Sequence, residues 1–552
     1  MNFCVPLNTL RLLSPIFRLV FSSEYSLYKR LSIMQRYLLS PWLWPVLSGL
    51  CIGTSYIPLP PWAALFGFVP LWLFWLRQDR LKPVILGGLL TSFTFTLIGF
   101  NWVAHTLHEF AQIPWPLAVL GLLLYALLAN LYLPCAGLVW FYSKKLGYIT
   151  PTLSLVLMAL LTILAEYFSY TLFDWNLGYT WYGAGLPIYH WAEMIGFTGL
   201  SALTLLGNLG LALAWLSHRR ALGKVLAGAV LLSFGLLNAG GLWLAARLPE
   251  PDAVFRPLLV QANIGSSQKL AAELGHPASD DIIARHMALT ERALERYEKN
   301  TVDAVIWPET AFPAFLGAEF SHSDKAQLLS QFVKTQQIPL ITGAFGVDMK
   351  LELMTNSLFV LAVDGQLSPK HYNKTQLLAL GEFIPGETYF PVLRQWLPAT
   401  GHFARGQGPS ELLNVNELQF GAQICYESLF PAFSKALADL GAQVIINVTN
   451  DSWYGTWQEP YQHMYMTLAR SVEFRRPVIR VTNTGITTVA LASGEILQQS
   501  PLHQEWAGLY QVAYRTQPTS TFYQQYFWLV PVITFISLVL VLLVMLSKKT
   551  IR

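Results

Sequence analysis

Four side chains in the second half of the chain fall where a strand runs into a turn, and their types suit acyl chemistry. Glu309 closes the run VIWPE, Lys374 closes PKHYNK, and Cys425 and Glu427 close GAQICYE. Strand ends are where α/β folds usually place reacting groups. A thiol, a carboxylate and an amine brought together supply a nucleophile, a base for its proton, and a cation for the oxyanion that forms on an attacked carbonyl. With Lys374 and Glu309 beside it, the Cys425 thiol is expected to favour the thiolate. Of Cys4, Cys51, Cys135 and Cys425, only the last lies in the polar region of the chain. An oxidising compartment favours paired cysteines, so a lone one there is a free thiol in need of a reason. A buried, inert cysteine satisfies the count equally well.

The elements around these residues alternate. VFRPLLVQANI (254–264) reads as a buried strand, SDDIIARHMALTERALERYEK (279–299) as an amphipathic helix, and DAVIWPE (303–309) as the next strand. A helix over 325–337 and a strand over 339–347 follow, then a hairpin turning at Asp364–Gly365. Beyond the strand at 418–427 come a helix, the strand QVIINVTND, a helix over QHMYMTLARSVEFRR and two further strands. The pattern predicts an α/β domain of roughly 260 residues, its mixed sheet covered by helices.

The rest of the chain is different in kind. Hydrophobic residues make up 53% of the 552 and charged residues 12%, about half the share usual in soluble proteins. Residues 1–251 carry 21 charged side chains, 252–520 carry 44, and 521–552 carry three, so a polar region sits between two apolar ones. A spanning helix needs roughly 20 apolar residues, and eight segments come near that: 42–58, 61–76, 83–104, 114–142, 150–173, 193–216, 223–245 and 526–546. Lys and Arg cluster after the second, fourth, sixth and eighth and are missing after the first, third and fifth, which predicts both termini in the cytoplasm and 246–525 outside. The organisation expected is an extension over 1–40, a seven-helix membrane domain over 41–250, a catalytic domain over 251–520, and a last membrane helix with a basic tail over 521–552. Residues 1–33 lack a cleavage-site pattern, and Met34 with Arg36 beside it offers an alternative start. Glu166 and Glu193, at or near membrane depth, are functional candidates, though hydrogen bonding between helices is the favoured reading, and His105 with His108 are read as interfacial polar residues, since two ligands make a poor metal site. The net charge of +4 gives no reason to propose nucleic acid, and no metal, phosphate or nucleotide motif implies a cofactor.

WPET, HYNK eight residues before GE, ICYE, and NVTNDSWYG followed by RRPVIRVTNTG together resemble the nitrilase superfamily. With eight membrane helices around such a domain, the chain is similar to the apolipoprotein N-acyltransferase family over about residues 40–546. The resemblance implies an αββα sandwich. It implies Cys425 as nucleophile, Glu309 as general base and Lys374 as oxyanion stabiliser, with Glu382, Tyr426 and Glu427 in support. It implies a ping-pong transfer of an acyl chain from a phospholipid, typically phosphatidylethanolamine, through a Cys425 thioester to the amino group of an apolipoprotein's diacylglyceryl-cysteine. A bacterial inner membrane, a periplasmic catalytic domain and a monomer go with it. The stretch 383–406, with Phe383, Tyr389, Phe390, Trp396 and Phe403, is expected to be a lid or membrane-facing arm, with packing into the core as the alternative. Gly265, Leu270 and the ALGE sequence ending at Glu382 depart from the family's usual residues, which leaves open a divergent paralogue. A membrane-tethered amidase would use the same three residues but would need only one anchor, and an inactive scaffold would not need them.

Overall fold

A computed structural model describes residues 40–550 apart from 110–111, 148, 170, 172, 219, 274–277, 299–300, 380 and 397–399. The expected extension over 1–33, the Met34 start, Leu380 and the side chain of Leu270 lie outside the described residues. The membrane part comprises α1 (Leu43–Gly53), α2 (Val69–Leu76), α3 (Leu81–Gly99), α4 (Trp102–Glu109), α5 (Trp115–Leu128), α6 (Tyr132–Ser143), α7 (Pro151–Phe168), α8 (Ala192–Leu216) and α9 (Ala221–Ala245). Among the described residues six helical stretches are long and apolar enough to cross a membrane: α3, the α5–α6 pair, α7, Pro187–Leu216 ending in α8, α9 and the C-terminal helix. The two shortest expected spans are not among them. They are α1 and α2, of 11 and 8 residues. Pro58, Pro60 and Pro61 lie between them, and proline supplies no N–H to continue a helix. The single span expected over 114–142 is α5 and α6, interrupted at 129–131, where the ring of Pro134 crowds the carbonyl one turn back.

The α/β part carries β1 (Ala253–Phe255), β2 (Pro257–Gln261), α10 (Ala278–Leu294), β3 (Ala304–Ile306), β4 (Phe312–Phe315), α11 (Asp324–Gln336), β5 (Leu340–Asp348), β6 (Leu353–Leu361), β7 (Tyr372–Asn373), β8 (Leu413–Val415), β9 (Leu418–Ile424), α12 (Pro431–Asp439), β10 (Val444–Thr449), α13 (Glu459–Phe474), β11 (Val478–Thr482), β12 (Thr488–Ala490), β13 (Trp506–Leu509) and β14 (Val512–Tyr514), before α14 (Leu529–Thr550). One sheet runs β13-β2-β3-β5-β6-β7, with β4 on β5, and the other runs β12-β11-β10-β9-β8. Each has a parallel centre and antiparallel edges. The strand expected over 254–264 is two: β1 pairs with β14, and β2 enters the main sheet after Arg256.

Strand periodicity makes the layers. On β2, Leu259 joins one core with Ile306, Ile341, Ile424, Ile446 and Val481 from both sheets. Its neighbours Leu258 and Val260 face the other way, into a second core with Ile283 of α10 and Leu329 and Val333 of α11. Two sheets face to face with helices outside them make the αββα sandwich that the sequence predicts.

The outer helix α13 is the seam between the two parts. The Gln462 amide donates to the carbonyls of Ile57 (3.1 Å) and Gly99 (2.9 Å) and accepts from the Trp102 indole (3.1 Å). Buried Arg470 donates to the Tyr179 hydroxyl (2.7 Å) and pairs with Glu473 (2.9 Å). Inside α8 the backbone breaks at Gly196 (φ 70°), where a Cβ would lie 2.4 Å from the Tyr523 ring, so only glycine fits. The break leaves the Phe197 N–H outside the helical ladder, and the Glu473 carboxylate accepts it at 2.9 Å. Glu193, expected to bond between helices, instead pairs with Arg475 of the α/β part at 2.6 Å. Glu166 does bond between helices, accepting from Ser201 of α8 at 2.6 Å.

Candidate active site

The ends of β3, β7 and β9 converge. Glu309 follows β3, Lys374 follows β7, and Cys425 follows β9 with φ 53°, a left-handed conformation that a non-glycine residue seldom adopts outside a sharp turn. Lys374 is 2% exposed, and its Nζ lies 3.0 Å from Glu309 Oε1 and 2.9 Å from Glu382 Oε1. The structure therefore brings Glu382 into the same cluster. Asn356, on β6, closes it: its Nδ2 donates to the same two oxygens at 2.7 and 2.9 Å. Glu382 Oε2 accepts the Leu378 N–H at 2.8 Å.

Glu309 is held from behind. Buried Lys269, in the helix Ser266–Glu273, donates to the Glu309 carbonyl (2.8 Å) and the Thr310 hydroxyl (3.1 Å). Thr310 itself has φ 47°, and the turn packs so closely on β5 that a Cβ at Gly343 would lie 2.6 Å from the Thr310 nitrogen. Asn356 and Lys269 were not singled out by the sequence. Asn356 stands inside a strand-like run, and its partners are 47 and 26 residues away.

Electrostatics correct one expectation. Burial is the largest influence on the Cys425 thiol, and the charge of Glu309 adds to it; both push its pKa up, against the pull of Lys374 and of a hydrogen bond with Thr449. At rest Cys425 is held as the thiol, not the thiolate. Burial also lowers the Lys374 ammonium, but Glu309 and Glu382 outweigh it and hold its pKa well above the usual lysine range. The arrangement can deprotonate the thiol as it attacks and keep a fixed cation where an oxyanion develops.

Glu427 is a brace. Its Oε1 accepts from the Tyr372 hydroxyl (2.6 Å), Thr375 N–H (2.6 Å) and Gln376 N–H (3.1 Å), and its Oε2 accepts the Ile424 N–H (2.8 Å). It thus ties the turn that carries the thiol to the segment that carries the ammonium. Burial pushes its carboxyl up to about 7 against the pull of those donors. Glu427→Ala strands three backbone N–H groups and a phenol inside the protein. It should lower stability by about 3 kcal/mol or more, read as a lower unfolding midpoint. Tyr426 is half-buried, its ring edge-on to Phe430 at 5.0 Å.

The stretch 383–406 divides. Tyr389, Phe390 and Trp396 are 83%, 64% and 70% exposed, whereas Phe403 packs on Phe345 and Phe383 lies under the Arg405 guanidinium. Asp451, Glu459 and His463 come within 4.8 Å of one another, but Asp451 already holds the Arg480 guanidinium at 2.5 Å and His463 Nδ1 at 3.1 Å.

An αββα sandwich with a thiol, an ammonium and a carboxylate at its strand ends and a second carboxylate beside them, joined to membrane helices, defines a nitrilase-like domain of the membrane-embedded kind. Residues 259–514 match the model of the carbon-nitrogen hydrolase family, and residues 48–210 that of the apolipoprotein N-acyltransferase N-terminal domain. An apolipoprotein N-acyltransferase of Bdellovibrio bacteriovorus is 39% identical over 88% of this chain and 90% of its own length, and one of Geobacter metallireducens is 29% identical over 84% and 88%. A Saccharomyces cerevisiae nitrilase-superfamily structure aligns with 48% of this chain and 91% of its own, at 18% identity and TM-score 0.37. The chain belongs to the apolipoprotein N-acyltransferase family and is an acyltransferase.

Proposed function

We propose that the chain carries a phospholipid acyl group on Cys425 and passes it to the N-terminal amino group of a diacylglyceryl-cysteine on an apolipoprotein, acting as a monomer with phosphatidylethanolamine as donor. The observation that carries the reading is the Glu309–Lys374–Glu382 cluster beside a buried thiol, in a domain seamed to membrane helices through α13. The thiol adds to the ester carbonyl while Glu309 takes its proton. Lys374 faces the oxyanion. Collapse expels the lysophospholipid alkoxide, to which Glu309 returns the proton. The acceptor amine then adds to the thioester, again losing a proton to Glu309, and the thiol is released.

Both substrates are lipids anchored in one leaflet, which suits a site on the face of a membrane-docked domain. The charged loops support cytoplasmic termini and a periplasmic catalytic domain in the bacterial inner membrane, organised as 41–250, 251–520 and 521–552. The exposed Tyr389, Phe390 and Trp396 suit an arm that enters the interfacial layer, where aromatic side chains are favoured. The test is transfer to a diacylated lipopeptide from phosphatidylethanolamine in detergent. A lipopeptide heavier by one acyl chain, with stoichiometric lysophospholipid, is expected. Hydrolysis of simple amides with no lipopeptide acylation would overturn the reading.

A further inference from the structure

We propose that Arg480 is a positioning residue for the nucleophile, acting through two hydrogen-bonded relays that end on one atom, the Cys425 carbonyl oxygen. The inference rests on the reading of Cys425 as the acylated residue. In the first relay, Arg480 Nη1 donates to Asn447 Oδ1 at 3.2 Å, and Asn447 Nδ2 donates to the Cys425 carbonyl at 3.1 Å. In the second, Arg480 Nη1 donates to Thr467 Oγ1 at 3.2 Å, Thr467 and Ser428 hydroxyls meet at 2.7 Å, and Ser428 Oγ donates to the same carbonyl at 3.1 Å. Ser428, Asn447, Thr467 and Arg480 are all 0% exposed, and they come from four separate pieces of chain: the Cys425 turn, β10, α13 and β11.

Proton bookkeeping gives the relays a direction. A guanidinium is donor-only. Its N–H to Thr467 fills an acceptor site there. Ser428 spends its only proton on the Cys425 carbonyl, so the proton between the two hydroxyls must come from Thr467. Each link then points from Arg480 toward Cys425, and neighbouring bonds polarise one another in the same sense. On the far side Arg480 Nη2 donates to Asp451 Oδ2 at 2.5 Å, and Asp451 Oδ1 meets His463 Nδ1 at 3.1 Å, so the guanidinium is fixed from behind.

The consequence is local. Cys425 has φ 53°, a conformation that persists only where its surroundings over-determine it. Two donors on its carbonyl hold the peptide plane that follows it, and with it the direction of the Cα–Cβ bond that aims the thiol. A residue that reaches neither substrate nor sulfur thereby governs the attack geometry.

The test uses the full-length enzyme in detergent, with phosphatidylethanolamine and no acceptor, measuring the rate of thioester formation against lipid concentration. Thr467→Val keeps the shape and cuts one relay. It should lower the maximal rate about tenfold with the lipid KM unchanged, and Thr467→Ser should restore it. Arg480→Lys cuts both relays and should cost about a hundredfold, with Thr467→Val adding nothing further in the double variant, since the two act on one path. Native rates in Thr467→Val, a loss confined to KM, failure of Thr467→Ser to rescue, or additive losses in the double variant would each overturn the proposal. Peptide mapping of the native adduct separates the two readings: an acyl group away from Cys425 defeats the proposed function, whereas an adduct on Cys425 with an unaffected Thr467→Val defeats only the relay.

Discussion

A Cys425→Ala enzyme given phospholipid should gain no mass and acylate no acceptor, whereas the native chain without acceptor should gain one acyl group that hydroxylamine removes. A thiol attacks an ester and leaves again as a good leaving group from the amine adduct. Cys425→Ser should keep the geometry and change the leaving group. An alkoxide departs less readily than a thiolate, so the serine variant should accumulate an oxyester and turn over poorly. Because burial and Glu309 keep the thiol protonated, iodoacetamide should label Cys425 slowly at pH 8, and faster as the pH rises further. Glu309→Gln keeps an acceptor oxygen for Asn356 and Lys374 but removes the base. It should slow thioester formation by about 100- to 10,000-fold. An acyl group on Glu309, or full transfer by Cys425→Ala, would move the chemistry to a different residue.

What the sequence reveals and what it hides follow from the range of the interactions. Period-two alternation is local, so the sandwich could be read from runs such as β2. There the middle residue, Leu259, joins the sheet-to-sheet core, and its neighbours, Leu258 and Val260, join the helix-covered one. Strand-end chemistry is local too, which is why Glu309, Lys374 and Cys425 stood out. The charge of the assembled cluster is not local. A base and a cation beside a thiol suggest a thiolate, but the fold removes water and the charge of Glu309 opposes the anion, and together they outweigh the pull of Lys374. Asn356 and Lys269 were hidden for a similar reason: each acts on groups far along the chain, from inside an element whose pattern says only strand or helix. The seam of α13 with the membrane part depends on contacts such as Gln462 to Gly99, which no window of sequence contains. In the membrane part, apolar length alone suggested spans of 42–58 and 61–76, where the helices are 11 and 8 residues long with three prolines between them.

Lys374→Met should cost both activity and stability, and a second substitution separates the two. The ammonium is buried and lies 3.0 and 2.9 Å from two carboxylate oxygens. Its loss leaves the Glu309 and Glu382 carboxylates facing each other across the Asn356 amide. Breaking a buried pair by removing one partner costs about 3–5 kcal/mol, because the remaining charge is uncompensated. Removing a preorganised oxyanion partner costs about 100- to 1,000-fold in rate. Lys374→Met should therefore unfold at lower denaturant and form the thioester at least a hundredfold more slowly. Adding Glu382→Gln removes one of the two stranded charges, so the double variant should regain part of the lost stability. It should regain none of the rate, since no cation returns to the site. If the double variant recovers rate in step with stability, Lys374 serves only to hold the cluster together; if Lys374→Met alone stays within tenfold of the native rate while Cys425→Ala is inactive, the oxyanion is met by some other group.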